Sequence, residues 1–257
     1  MATTSDVKTR AGARTRPGVL DKPKRATPDA VLDALATQAT RLRVRRGQNV
    51  VLTLDGGEAA FIVRSGALML HVTMPDTPRQ VVATLFPGDV LRSSFAPPHA
   101  GATLTAASQA EIWRVRWTVL ESLLAANPAL ARFVQDAMAA QMARHAVHLA
   151  AIGQFSGEQR VATILVELAL RTGTPSSAGG LVLDMPLSRR DIADHLGLNA
   201  DTLSRIMSRL RAAGILGHSE RNRVVVRDFL ALAGRSPAAR CLAEIHSDEG
   251  RLLAQIG

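Results

Sequence analysis

Residues Ser188–Leu216 read SRRDIADHLGLNADTLSRIMSRLRAAGIL, and the spacing fits two short helices that cross at a sharp turn. Ser188 with Asp191 three residues on is a capping-box variant, with Asp in place of Glu or Gln. Ile192 and Leu196 lie one helical turn apart and share a face. Ala193 is small where a second helix needs close approach. Gly197 ends the first helix, because glycine accepts the left-handed conformation that a tight turn requires. Leu198 plugs the turn, and Asn199 is a good N-cap for the second helix. Leu203, Ile206 and Leu210 give that helix one apolar face. The segment is predicted to be a helix-turn-helix.

The other face of the second helix carries Asn199, Ala200, Asp201, Ser204, Arg205, Ser208 and Arg209. Short polar groups around an Arg that can fork onto guanine O6 and N7 are what a DNA-reading helix needs, and Arg205 is the candidate. Asp201, four residues earlier, is placed to pair with Arg205 or to accept from cytosine N4. The alternative is an ordinary pair of packed helices with a solvated charged face. The continuation favours the first reading. Gly214 closes the helix, and Ile215–Gly217 and Arg223–Arg227 read as two short strands of a wing around the turn at Glu220, Arg221 and Asn222. From Leu187 to Arg227 there are eight Arg against four acids, a balance suited to phosphates.

The whole chain of 257 residues has a formal charge of +9 and 47% hydrophobic residues, enough for two modest domains. Residues 1–46 hold eleven Lys or Arg and four acids, so most of the excess charge sits there. The aromatic fraction is 3% with no Tyr, which argues against stacking on unpaired bases. No apolar run approaches a membrane span and no secretory signal pattern opens the chain, so no membrane partner and a cytoplasmic location are expected. Cys241 is the single cysteine. It excludes an internal disulfide or a cluster held by this chain's thiols alone, and reads as either a buried structural thiol or a redox sensor. No nucleophile–base set, phosphate loop or zinc spacing appears, so the chain is not expected to be an enzyme and no cofactor is assigned.

Residues 1–26 read as a disordered basic tail, with a targeting peptide as the alternative. Pro28–Thr37 reads as a short helix. Residues 27–126 then hold closely spaced β-like runs at Asn49–Leu54, Ala60–Arg64, Ala67–Thr73, Gln80–Phe86, Ala102–Ala106 and Glu111–Arg116. Turns fall at Ser65-Gly66 and Pro87-Gly88-Asp89. That rhythm predicts a small barrel or roll, either a packed core or a ligand holder. Helix returns at Thr118. Asn127-Pro128 starts a long helix over 127–156, along which Val134, Met138, Met142, His145, Leu149 and Ile152 step by four or three. This stripe is a candidate homodimer seam, the alternative being packing against its own barrel. Gly153–Gly157 reads as a hinge, a helix over about 158–172 opens a DNA-binding domain of 157–234, Leu181–Met185 adds a strand, and 235–257 reads as a terminal helix. The fold class is α+β. His145 and His148, with His71 or His99, are considered as a metal or haem site, against plain exposed or interfacial His.

The order of roll, long helix and winged helix-turn-helix resembles the cyclic-AMP receptor protein/fumarate–nitrate regulator (CRP/FNR) family over about residues 40–230. The carriers are GDV at Gly88–Val90, AQMARH at Ala140–His145 and the helix-turn-helix. ADTLSR at Ala200–Arg205 is similar to the E-x-x-S-R motif of the FNR/FixK branch, with Asp201 in place of its Glu. The resemblance implies a bacterial transcription regulator that reads palindromic double-stranded DNA with TTG-like half-sites through Asp201, Ser204 and Arg205. It implies phosphate contacts from Ser188, Arg189, Asn199 and Thr202, and RNA polymerase as a partner. Cyclic-nucleotide binders of the family carry a Glu and an Arg in the roll and a Thr-Ser pair on the long helix. Here Ser93, Ala100 or Gly101, and Leu149-Ala150 fall near those positions. A buried phosphate would lack its cation, so no cyclic-nucleotide binding of the usual kind is expected. A roll that senses some other molecule, haem or a metal is the alternative.

Overall fold

The protein is described by a computed structural model covering residues 33, 35–54, 56–177, 179–218 and 222–246. The basic tail, most of the Pro28–Thr37 helix, the tip of the wing at 219–221 and residues 247–257 lie outside the described residues.

Nine strands build a roll of two sheets. β1 (Thr40–Val44), β9 (Ala110–Arg116), β4 (Gly57–Ser65) and β3 (Thr53–Leu54) form one sheet, with β7 (Val90–Arg92) also on β4. The second sheet runs β2 (Asn49–Val50), β8 (Gly101–Ala106), β5 (Leu68–Thr73), β6 (Gln80–Leu85). All pairings in the roll are antiparallel. The Asn49–Leu54 run is split into β2 and β3, each on a different sheet, and β1 and β7 are strands that the sequence reading did not name. At the β4–β5 hairpin, Gly66 has φ +77°, and a Cβ there would sit 2.2 Å from the Gln109 carbonyl oxygen.

The inner faces of the two sheets meet through Phe61, Val63, Leu68, Leu70, Leu85, Leu91, Leu104 and Ile112. The outer face of the first sheet is buried too, by helices α1 (Trp117–Ala126) and α2 (Pro128–Gln154), where Ile62, Val90 and Val115 meet Leu120, Leu130, Val134 and Ala137. Burial on both faces is why β4 reads as the unbroken apolar run AAFIV rather than as an alternating strand. The Asn127–Pro128 start is as expected: Asn127 Oδ1 accepts from the Leu130 N–H at 3.0 Å, with Pro at the first helical position.

The helix continues through Gly153, so the break between α2 and α3 (Gly157–Thr172) is narrower than the Gly153–Gly157 hinge and consists of Phe155 and Ser156. Ser156 caps α3 in a full capping box with Gln159. The C-terminal unit follows: β10 (Thr174–Pro175), β11 (Leu181–Asp184), α4 (Arg189–Leu196), α5 (Ala200–Ala212), β12 (Arg223–Val226), α6 (Phe229–Ala233) and α7 (Ala239–Ile245). The terminal helix predicted from about Pro237 is thus the short α7 within the described residues, preceded by α6. The wing also differs from expectation. β12 pairs along its length with β11, and the Ile215–Gly217 segment contributes a single bridge, Leu216 to Val226. Cys241 is exposed, so it is not a buried structural thiol. Among the described residues no helix is long and apolar enough to cross a membrane.

Candidate nucleic-acid interface

The helix-turn-helix is built as its sequence dictates. Ser188 Oγ accepts from the Asp191 N–H at 3.1 Å, and Asp191 Oδ2 takes the Ser188 N–H at 3.2 Å, so the Asp variant closes a complete capping box. Gly197 ends α4 in the left-handed region, φ +61°. Asn199 Oδ1 caps α5 by accepting from the Thr202 N–H at 2.7 Å. Ile192, Ala193 and Leu196 on α4 face Leu203, Ile206 and Leu210 on α5, all at most 5% exposed. Arg160, on α3, donates to the carbonyls of Phe155 and Leu196, each at 3.0 Å, and so pins the end of α4 to the start of α3. Sequence spacing gave no sign of that brace.

The outward face of α5 carries Asp201, Arg205, Ser208 and Arg209 in the open, with Ser204 and Thr202 half-buried beside them. Arg189 and Arg190 are exposed at the N-terminus of α4, next to half-buried Ser188, and Asn199 is exposed at the N-terminus of α5. The seven predicted DNA-contact residues therefore lie on two adjacent helices. Their polar groups differ in availability. The side-chain oxygens of Ser188 and Asn199 are engaged in caps, whereas Arg189 and Arg205 form no ion pair among the described residues. The expected Asp201–Arg205 pair is likewise not formed, since both side chains extend into solvent. Arg209 is drawn aside by Glu158 at 3.7 Å.

The six candidate seam residues of α2 do not share one environment. Val134 is 2% exposed and packs with Met138 into the helix–roll core of its own chain. His145 is half-buried: its Nδ1 donates to the Gln141 carbonyl at 2.8 Å, and its ring meets Phe95 edge-on at 4.6 Å. Ile152 is half-buried near Gly197. Met142 and Leu149 are open, 75% and 71% exposed. The exposed face is Ala139, Met142, Ala146, Leu149 and Gly153, a stripe shifted round the helix from the predicted one. Two of the six predicted residues belong to it.

At the positions that the resemblance aligns with nucleotide anchors, Ser93 Oγ is engaged by the Ala59 N–H at 3.0 Å, Ala100 precedes β8 and Gly101 opens it, and Leu149-Ala150 are exposed on α2. The four histidines considered as ligands do not converge. His71 lies on β5, His99 in the loop before β8 at φ +62°, His145 against Phe95, and His148 stacks on His195 with ring centroids 4.0 Å apart. Burial first, then the charges of His195, His145 and Arg160, push His148 down to about 3.

Two devices fix the helix-turn-helix relative to the rest. α4 is docked on β6: Arg79 pairs with Asp191 at 2.9 Å and Asp194 at 3.6 Å, Gln80 Nε2 donates to the Asp194 carbonyl, and His195 Nδ1 donates to the Val81 carbonyl at 3.0 Å. A cavity of about 290 Å³ lies in this joint. Behind it, Asp89 accepts from Arg144 of α2 at 2.8 Å, from Arg171 of α3 at 2.6 Å and from the Phe86 N–H at 2.9 Å. Burial alone would raise the Asp89 carboxyl, but Arg171 and Arg144 outweigh it and hold the group below the usual carboxylate range.

Residues 159–235 match the family described as the Crp-like helix-turn-helix domain, and residues 41–127 match the cyclic nucleotide-binding domain family. The nitrogen fixation regulation protein FixK of Azorhizobium caulinodans is 30% identical over 207 residues, covering 80% of this chain and 82% of that protein. The transcriptional activator protein FnrL of Cereibacter sphaeroides is 26% identical, covering 72% of this chain and 76% of that protein. Among solved structures, FixK2 from Bradyrhizobium japonicum superposes with a TM-score of 0.65 at 31% identity, over 78% of this chain and 98% of the other.

Proposed function

The chain belongs to the CRP/FNR family of transcription regulators, and from that premise we propose that it works as a homodimer that reads palindromic double-stranded DNA with TTG-like half-sites, without a cyclic nucleotide. The observation that carries the reading is the open face of α5, where Asp201 and Arg205 project from a helix capped by Asn199 and backed by Leu203, Ile206 and Leu210. Arg205 forks onto a guanine, Asp201 accepts from a cytosine and Ser204 lies between them. Arg189 and Thr202 meet phosphate, as do Ser188 and Asn199 at the N-termini of α4 and α5; these contacts set register rather than sequence. Asp201 is one methylene shorter than the Glu of related recognition helices, so its cytosine contact depends on a closer approach of α5 to the groove.

Two half-sites require two copies. The seam that supports pairing is Ala139, Met142, Ala146, Leu149 and Gly153, which steps by three and four along α2 and leaves two large apolar side chains in solvent. The roll positions that would anchor a cyclic nucleotide carry no cation, which supports a regulator independent of that ligand. RNA polymerase is the expected partner of the bound dimer in the cytoplasm. A version of the reading in which another small molecule switches DNA binding is favoured by the cavity beneath α4.

Selection of binding sites from random DNA with the full-length protein tests the proposal. The expected product is a palindrome with TTG-like half-sites centred about 10 base pairs apart, or a multiple of that. Enrichment of an unrepeated motif, or of none, overturns it.

A further inference from the structure

The outer face of the second sheet carries the helix-turn-helix as a seat, and one imidazole in that seat has no partner. β5 alternates: Leu68 and Leu70 point into the roll, so Met69 and His71 point out beneath α4. His71 is 4% exposed, and neither of its ring nitrogens has a hydrogen-bond partner. A buried imidazole left in that state bears an uncompensated desolvation cost. It lines the cavity of about 290 Å³, near the lower bound of small-molecule pockets.

The rest of the lining is rich in donors. Arg46 enters from the β1–β2 turn, and its guanidinium makes one long contact, 3.5 Å to Asn222 Oδ1. Arg79 spends Nη2 on Asp191 and Asp194. Asn49 uses its carbonyl to accept from Thr105 at 2.8 Å, and its amide carries N–H donors. The one lining carboxylate, Asp191, is engaged on both oxygens, by Arg79 and by Ser188. Two guanidiniums, an amide and an imidazole therefore converge on a space whose one lining carboxylate among the described residues is already satisfied. Guanidiniums in such a setting recognise planar or tetrahedral oxyanions through paired hydrogen bonds.

We propose that the joint between the roll and α4 binds a small oxyanion-bearing molecule, a carboxylate or a phosphate ester, held by Arg46, Arg79 and His71. Such a ligand touches the roll and, through Arg79 and Asp191, the first helix of the DNA-reading unit. It ties the two together and so biases how that unit is presented. Burial first and Arg79 second hold His71 below the ordinary imidazole value, against the pull of Asp191 and Asp194. A bound anion reverses that balance and raises it.

The test is a titration of the full-length protein, with its histidines labelled for NMR, by inorganic phosphate in one arm and citrate in the other. The expected result is a saturable shift of the His71 ring nitrogens and a rise in its pKa in at least one arm. The arm that responds assigns the ligand as phosphate or carboxylate. Arg46→Gln, at an exposed residue outside the docking ion pairs, weakens the effect at least tenfold. Arg205→Ala, which alters only the DNA-reading face, leaves it unchanged. His71 signals that stay fixed in both arms, or that shift equally in Arg46→Gln, overturn the proposal. The regulatory consequence rests on the DNA-binding reading: the active ligand changes DNA affinity of the native protein and not of Arg46→Gln. A protein that binds the anion at His71 but no DNA sinks the DNA reading and leaves the site standing.

Discussion

Asp89→Asn is the substitution from which the largest loss of stability is expected, and its size follows from three hydrogen bonds. The carboxylate is 1% exposed and joins the turn after β6 to two helices, through Arg144 at 2.8 Å and Arg171 at 2.6 Å. Asn keeps the shape and can still accept from the Phe86 N–H, so the change removes charge and little else. Both guanidiniums are 6% exposed, and the Glu167 carboxylate stands 3.8 Å from one and 3.7 Å from the other. Stripping the partner from a buried ion pair costs about 3–5 kcal/mol. For a chain of this size that is a fall in Tm of roughly 6–20 °C. The comparison is Arg43→Gln at the exposed Arg43–Glu111 contact, 3.6 Å and 85% open on the Arg side, where a loss of at most about 1 kcal/mol is expected. Urea and thermal unfolding of the two variants beside the native protein measure both. The sign with pH is fixed as well. The folded pKa of Asp89 is depressed, so its contribution is present above the unfolded carboxylate value of about 3.9 and is lost as pH falls below it. The native protein should therefore converge on Asp89→Asn in acid. Equal, small losses in Asp89→Asn and Arg43→Gln would refute the argument that this network bolts the roll to α2 and α3.

Other consequences can be measured on the same protein. Arg205→Ala should cost about 1–3 kcal/mol of DNA binding and relax preference at one base pair, whereas Arg189→Ala should weaken all sequences alike and lower the salt dependence; uniform weakening by Arg205→Ala removes it from the base-reading set. Leu149→Arg, on the exposed stripe of α2, should shift the protein to monomer in sedimentation while leaving its unfolding curve nearly unchanged, and Val134→Ala should do the reverse, losing about 1–3 kcal/mol of fold stability with assembly intact. Asn199→Ala should cost about 0.5–2 kcal/mol by uncapping α5, seen as earlier unfolding of the C-terminal unit. Because burial and neighbouring charges hold His148 down to about 3 in the folded chain, stability should be full above about pH 6.5 and fall by up to about 1.4 kcal/mol per pH unit below it; His148→Leu should flatten that slope between pH 6.5 and 4.

What the sequence revealed and what it hid divide along the range of the interactions. The helix-turn-helix was legible because its determinants are local: Ser188 and Asn199 cap within three residues, Gly197 takes a positive φ at the turn, and Leu203, Ile206 and Leu210 repeat within three turns. β1 was missed although Leu42 and Val44 alternate, because the intervening Arg41 and Arg43 look like more of the basic tail. In the fold, Arg41 lies over Trp113 at 5.1 Å, a use that only tertiary structure can reveal. The candidate seam residues on α2 divide between two faces for a different reason. Large apolar residues occur on two faces of that helix, and the stripe Val134–Met138–Met142 crosses from the inner face to the outer. The exposed face is marked mainly by alanine, which hydropathy hardly distinguishes from background in an Ala-rich helix, so only Met142 and Leu149 were common to both readings. The same face explains how one helix serves two partners. Arg144 and Gln141 turn inward to the roll while Met142 and Leu149 turn outward, so α2 both receives the Asp89 network and presents the proposed dimer seam.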